Sequence, residues 1–125
     1  MNKTAIVILS DPTHGGEEAL GRAFNGLSAA VDIKNSGGEV TVTFQGAGTR
    51  WASLITQKDH LLNGLYEAVK GNIEGVSCGC ADVFGATEGA TACGFKLLKE
   101  NPIPGTTGLA SFGKHLKFGT TVLTF

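Results

Sequence analysis

The chain has 125 residues, a formal net charge of -1, 42% apolar residues and only 17% charged ones. That length makes a single domain whose core can stand without disulfides or a structural metal. The charge balance offers no basic field for nucleic acid and no polybasic patch for a membrane surface, and no segment approaches the ~20 apolar residues of a membrane span.

So apolar a composition leaves surface to be buried between subunits, and a homo-oligomer is expected. The three cysteines are an odd number, which excludes a complete internal disulfide framework. The opening run from Lys3 to Leu9 places one charge before a short apolar stretch that Asp11-Pro12 stops, too short for a secretory signal. Reduced thiols in a cytoplasmic protein are the expectation.

Ala5 to Leu9 is an unbroken, mostly β-branched run, the pattern of a central strand covered on both faces. Asp11-Pro12-Thr13-His14-Gly15-Gly16 is the turn after it. Leu20, Ala23, Phe24, Leu27, Ala30 and Val31 then recur at helical spacing, with Glu17 and Glu18 in the first turn. Asn35 to Gly38 ends that helix, Glu39 to Phe44 reads as a second strand, and Gln45 to Arg50 as a second turn.

Trp51, Leu54, Ile55, Leu61, Leu62, Leu65, Ala68 and Val69 trace one helical face as far as Gly71. From Ile73 a third strand runs straight into Cys78-Gly79-Cys80 and a helix that fades between Gly89 and Cys93. A short fourth strand is expected within Gly94 to Leu98, because Asn101-Pro102-Ile103-Pro104-Gly105 cannot continue a helix. Leu109 to Leu116 reads as a last helix and Thr120 to Phe125 as a final strand.

Strands alternating with helices over short connections imply an α/β domain, a mainly parallel sheet with helices on both faces. Right-handed crossovers gather the strand-to-helix turns at the carboxyl edge, where such folds bind and react. The turns at Asp11–Gly16, Gln45–Arg50, Cys78–Cys80 and Lys99–Gly105 would share that edge.

Cys78 and Cys80 fall between a strand and a helix, where exposed N–H groups favour an anion and raise the thiolate fraction. The alternative is a pair of small buried residues in a tight turn. Cys-Gly-Cys is not the redox Cys-x-x-Cys spacing, and a bridge across one residue would be strained. A zinc site would need two further ligands, for which Cys93 and a stray histidine are poor candidates; Cys93 reads as a packing residue. His14 would act beside the thiols as a proton donor or thiolate partner, and Arg50 would offer charge to an anionic sulfur or simply be a solvated residue. The Asp11–Gly16 loop lacks Gly-Lys-Ser/Thr and the dinucleotide spacing, so no cofactor is expected. His60 and His115 receive no role, and no Ser-His-Asp order or acidic pair suggests hydrolysis.

The run Cys80-Ala81-Asp82-Val83-Phe84-Gly85-Ala86 resembles the Cys-Ala-x-x-Phe-Gly-Val turn of the DsrE/DsrF-like family of small sulfur-relay proteins. The ending Phe118-Gly119-Thr120-Thr121-Val122-Leu123-Thr124-Phe125 resembles that family's closing Gly-x-x-Val-x-Thr-Phe strand. The resemblance implies a three-layer α/β/α sandwich on a mainly parallel five-stranded sheet, assembled as trimers or hexamers, with sulfur carried as a cysteine persulfide. The family cysteine falls on Cys80. Relatives with a second cysteine carry it three residues earlier, where this chain has Ser77, so Cys78 is left without a family role.

The leading expectation is a cytoplasmic persulfide carrier, with Cys80 exchanging sulfur between donor and acceptor proteins. A different class remains open: a non-catalytic oligomeric module that binds a small ligand or partner at the carboxyl edge, in which Cys80 is buried and inert. A flavodoxin-like flavin binder is disfavoured by the missing Ser/Thr-rich phosphate loop and the few edge aromatics.

Overall fold

The structure, a computed structural model, describes residues 2–125. Five strands form one all-parallel sheet: β1 (Lys3–Ile8), β2 (Glu39–Phe44), β3 (Ile73–Ser77), β4 (Leu97–Leu98) and β5 (Thr121–Thr124), in the order β4-β3-β2-β1-β5. β1 pairs with β2 from Lys3↔Glu39 to Ile8↔Phe44, and on its other side with β5 from Thr4↔Thr121 to Val7↔Thr124. Ala5 to Ile8 are buried on both sheet faces, which is why that stretch carries no polar alternation.

The helices are α1 (Gly16–Asn35), α2 (Ala52–Ile55), α3 (Asn63–Val69), α4 (Cys78–Val83), α5 (Thr87–Ala92) and α6 (Phe112–Lys117). Each step from β1 to β4 moves one strand in the same direction, so right-handed crossovers place α1 to α5 on one face. The return from β4 to β5 passes over the opposite face, where α6 lies, and an α/β sandwich results.

On the first face Ile6, Ile8, Val42, Phe44 and Val76 meet Leu27, Ile55 and Leu62, all fully buried. Burying one such side chain contributes about 2 kcal/mol, so this layer supplies much of the fold's stability. α1 presents Ala19, Ala23, Leu27 and Ala30 at helical spacing to the sheet, and its first-turn glutamates complement the dipole. Phe24 departs from the sequence expectation and stands 47% exposed.

Two expected helices are broken. The face from Trp51 to Val69 divides into a 3-10 turn (Gly46–Trp51), α2 and α3, with 56–62 irregular between them. Ile55 and Leu62 still bury fully, and His60 Nδ1 accepts the Leu62 N–H at 3.0 Å, so burial is periodic although the helix is not. The segment after Ser77 divides into α4 and α5 at Gly85, whose φ of 68° lies in the left-handed region. The fourth strand shrinks to Leu97–Leu98, and the last helix begins at Phe112 rather than Leu109.

Candidate functional site

The connections after β1, β2 and β3 converge at the carboxyl edge, as the alternation of elements predicts. Asp11 opens the first. Its Oδ1 accepts the Thr13 N–H at 2.8 Å, an Asx turn, and its Oδ2 lies 3.0 Å from His14 Nδ1. Arg50, from the connection after β2, donates through Nη1 to Asp11 Oδ1 at 3.0 Å and through Nε to the Phe84 carbonyl at 3.0 Å. Its guanidinium carbon sits 5.5 Å from the centre of the Phe84 ring, a cation–π contact.

Burial alone would raise the Asp11 carboxyl, but the Thr13 N–H, Arg50 and His14 outweigh it and hold it at about 2. Asp11 is therefore an anion that orders its own turn and anchors Arg50. Next to it, Trp51 is 2% exposed and donates through Nε1 to the Ser10 carbonyl at 2.9 Å.

The cysteine turn follows β3 directly. Ser77, fully buried, ends the strand, and its Oγ accepts the Ala110 N–H at 3.0 Å. Gly79 donates its N–H to the Gly108 carbonyl at 2.7 Å. A Cβ on Gly79 would stand 2.8 Å from Leu109 Cδ1 and 3.1 Å from that carbonyl. The residue between the two cysteines is thus glycine because segment 106–110 lies directly against it.

The two thiols are not equivalent. Cys78 is 4% exposed, whereas Cys80 is partly exposed. Thr107 Oγ1 lies 2.7 Å from Asp82 Oδ2 and 3.1 Å from Cys78 Sγ. A hydroxyl carries one proton, and the charged carboxylate is the stronger acceptor. Thr107 therefore donates to Asp82, and its oxygen accepts the Cys78 S–H. Thr87 donates to Asp82 Oδ1 at 2.6 Å, and the Thr87 and Thr107 hydroxyls together lower the Asp82 carboxyl below its usual range. Cys78 is bound into this hydroxyl–carboxylate chain and packs segment 106–110 onto α4.

Of the residues singled out from the sequence, Cys78 and Cys80 share α4, and His14 and Arg50 share Asp11. No hydrogen bond joins Cys80 to His14 or Arg50 among the described residues; His14 is 74% exposed and engages Asp11 instead. Thr56 Oγ1 donates to the Ala52 carbonyl at 2.9 Å and lies 3.3 Å from Cys93 Sγ, and His60 stands edge-on to Trp51. Sequence reasoning missed Asp11, although Asp before Pro at a strand end is an Asx-turn signal. It also missed Asp82 and Thr107, whose pairing spans 25 positions and leaves no local trace.

Among the described residues no group of three or more His, Cys, Asp or Glu is placed to hold a metal ion, and no helix is long and apolar enough to cross a membrane. No known protein family, curated protein or solved structure matches this chain.

Proposed function

We propose that the protein is a sulfur-relay carrier of the DsrE/DsrF-like kind, and that Cys80 holds the sulfur. The observation that carries the reading is the contrast within one turn: Cys78 is buried and hydrogen-bonded, while Cys80 is partly exposed two residues along the same helix. The inert-module alternative needs Cys80 buried.

In the relay the Cys80 thiolate attacks the outer sulfur of a donor persulfide. The donor S–S bond breaks, the donor leaves as its thiolate, and a Cys80 persulfide forms. An acceptor thiolate then attacks that outer sulfur and Cys80 returns as thiolate. Each step moves one sulfur atom and balances without an external oxidant. Arg50 and His14 serve this edge by fixing its turns around Asp11, since both engage that carboxylate rather than sulfur.

Donor and acceptor proteins are its partners in this reading, and a reducing cytoplasm is its compartment. Self-association as trimer or hexamer belongs to the same proposal. It is supported by Leu116 and Leu123, which stand 63% and 39% exposed on α6 and on edge strand β5.

The test is mass spectrometry after incubation with a persulfide donor. Added sulfur on Cys80, lost in Cys80→Ser and kept in Cys78→Ser, is the expected result. Equal loading of Cys80→Ser would overturn the proposal.

A further inference from the structure

A crevice of about 490 Å³ opens at the amino edge of the sheet, the end opposite the cysteine turn. Its size lies within the ~300–1,000 Å³ of small-molecule sites. Lys3 and Glu39, the first residues of β1 and β2, line it together with Glu74, Lys114, His115 and Phe118.

Glu74 reaches the crevice through a strand irregularity. β3 pairs with β2 at Val42↔Ile73 and next at Thr43↔Gly75, so Glu74 is an extra residue, a β-bulge. The bulge lets Ile73 and Val76, three positions apart, both pack into the core on the α1 side. Glu74 is turned away from that core towards α6. Gly75 makes this geometry possible: its φ is 148°, and a Cβ there would stand 2.2 Å from the Lys96 carbonyl oxygen. Bulges that re-aim a side chain in this way are enriched beside functional sites.

The charges in the crevice face one another at ion-pair distance, beyond hydrogen-bond reach. Lys3 Nζ is 3.6 Å from Glu39 Oε2, Lys114 Nζ is 3.9 Å from Glu74 Oε2, and His115 Nε2 is 3.7 Å from Glu74 Oε1. All three separations exceed the ~2.7–3.2 Å of an N–H···O hydrogen bond, so both carboxylates keep acceptor capacity and both ammonium groups keep protons to donate. Two lysines balance two glutamates, which disfavours a multiply charged anion such as a nucleotide. A guest bearing one charge of each sign satisfies both kinds of group, and Phe118, 73% exposed, gives an apolar substituent a surface.

We infer that this crevice binds a small zwitterion of dipeptide size, its ammonium group on Glu74, its carboxylate on Lys3 and its apolar side chain against Phe118. The site is independent of the sulfur chemistry and lies at the far edge of the sheet.

The experiment is an amide-resolved NMR titration of the whole protein with glycyl-phenylalanine, beside the same dipeptide N-acetylated and C-amidated. The expected result is saturable shifts at Lys3, Glu39, Glu74 and 114–118 with the zwitterion, none with the blocked form, and at least roughly tenfold weaker binding in Glu74→Gln. Prior loading of Cys80 with sulfur leaves these shifts unchanged. Absence of saturable shifts up to about 20 mM, or equal shifts with the blocked dipeptide, overturns the inference.

Discussion

Arg50 Nη1 and Asp11 Oδ1 stand 3.0 Å apart and join the connection after β2 to the connection after β1. Through Nε the same guanidinium holds the Phe84 carbonyl, in the connection after β3. One side chain therefore ties the first two strand-to-helix connections to the C-terminal end of α4, and Arg50 acts as a strut for the edge that presents Cys80.

Arg50→Ala should lower stability by about 1–3 kcal/mol, the usual range for losing hydrogen bonds to a charged partner. Arg50→Lys should recover little of it, because an ammonium group cannot span a carboxylate and a carbonyl in the fork geometry of guanidinium. Urea unfolding followed by Trp51 fluorescence measures both. A lysine variant as stable as the parent would show that charge alone matters.

Acid should reveal Asp11. Its carboxyl sits at about 2 in the folded protein against an ordinary 3.8, so the folded state binds the proton less readily than the unfolded one. The associated stability is complete above about pH 4 and is lost as pH falls towards 2. In Asp11→Asn that loss should vanish, leaving a shallower acid slope across the same window. Identical slopes would mean that the turn does not hold the carboxylate.

Iodoacetamide should modify Cys80 in the native protein and reach Cys78 only after unfolding, as judged by peptide mapping. Thr107→Val removes the hydroxyl between Cys78 and Asp82 and should loosen segment 106–110, making Cys78 modifiable under native conditions. If both cysteines react at one rate in the unmodified sequence, the asymmetry of the turn is wrong.

Gly75→Ala should destabilise by about 2–4 kcal/mol, since it combines an unfavourable backbone region with a close approach to the Lys96 carbonyl. Gly71→Ala is the control: nothing lies within 4 Å of its added Cβ, and the change should stay within about 0.5 kcal/mol. Thermal or urea midpoints that fail to separate the two would remove the argument for the bulge.

The strands Ala5–Ile8 and Glu39–Phe44 and the helix to Asn35 were legible because local apolar pattern and burial coincide there. The helix break at 56–62 was not, because apolar periodicity reports which side chains bury and is silent about the backbone hydrogen bonds between them. Ile55 and Leu62 keep the period while the chain turns at His60. The cysteine turn was visible as strand, thiols and helix, but the difference between Cys78 and Cys80 comes from Thr107 and Asp82, brought together only by the fold. The crevice had one local clue: a glycine inside a strand, Gly75, commonly marks a bulge. His115 and Lys114 gave none, since their meeting with Glu74 depends on α6 crossing the second face.

The order β4-β3-β2-β1-β5 also sets a timetable for folding. β1 can find β2 across a single helix, whereas its pairing with β5 joins Thr4 to Thr121. Loop-closure entropy disfavours the longer search, so β5 is expected to dock after β2. Until it does, the most apolar strand of the molecule has one open ladder edge, to which the same strand of another chain can add. Refolding losses should therefore grow with protein concentration, and pulse-labelled hydrogen exchange should find the Phe125 N–H, bonded to Val7, protected later than the Gln45 N–H, bonded to Ile8. Simultaneous protection of the two would show that the sheet closes in one step.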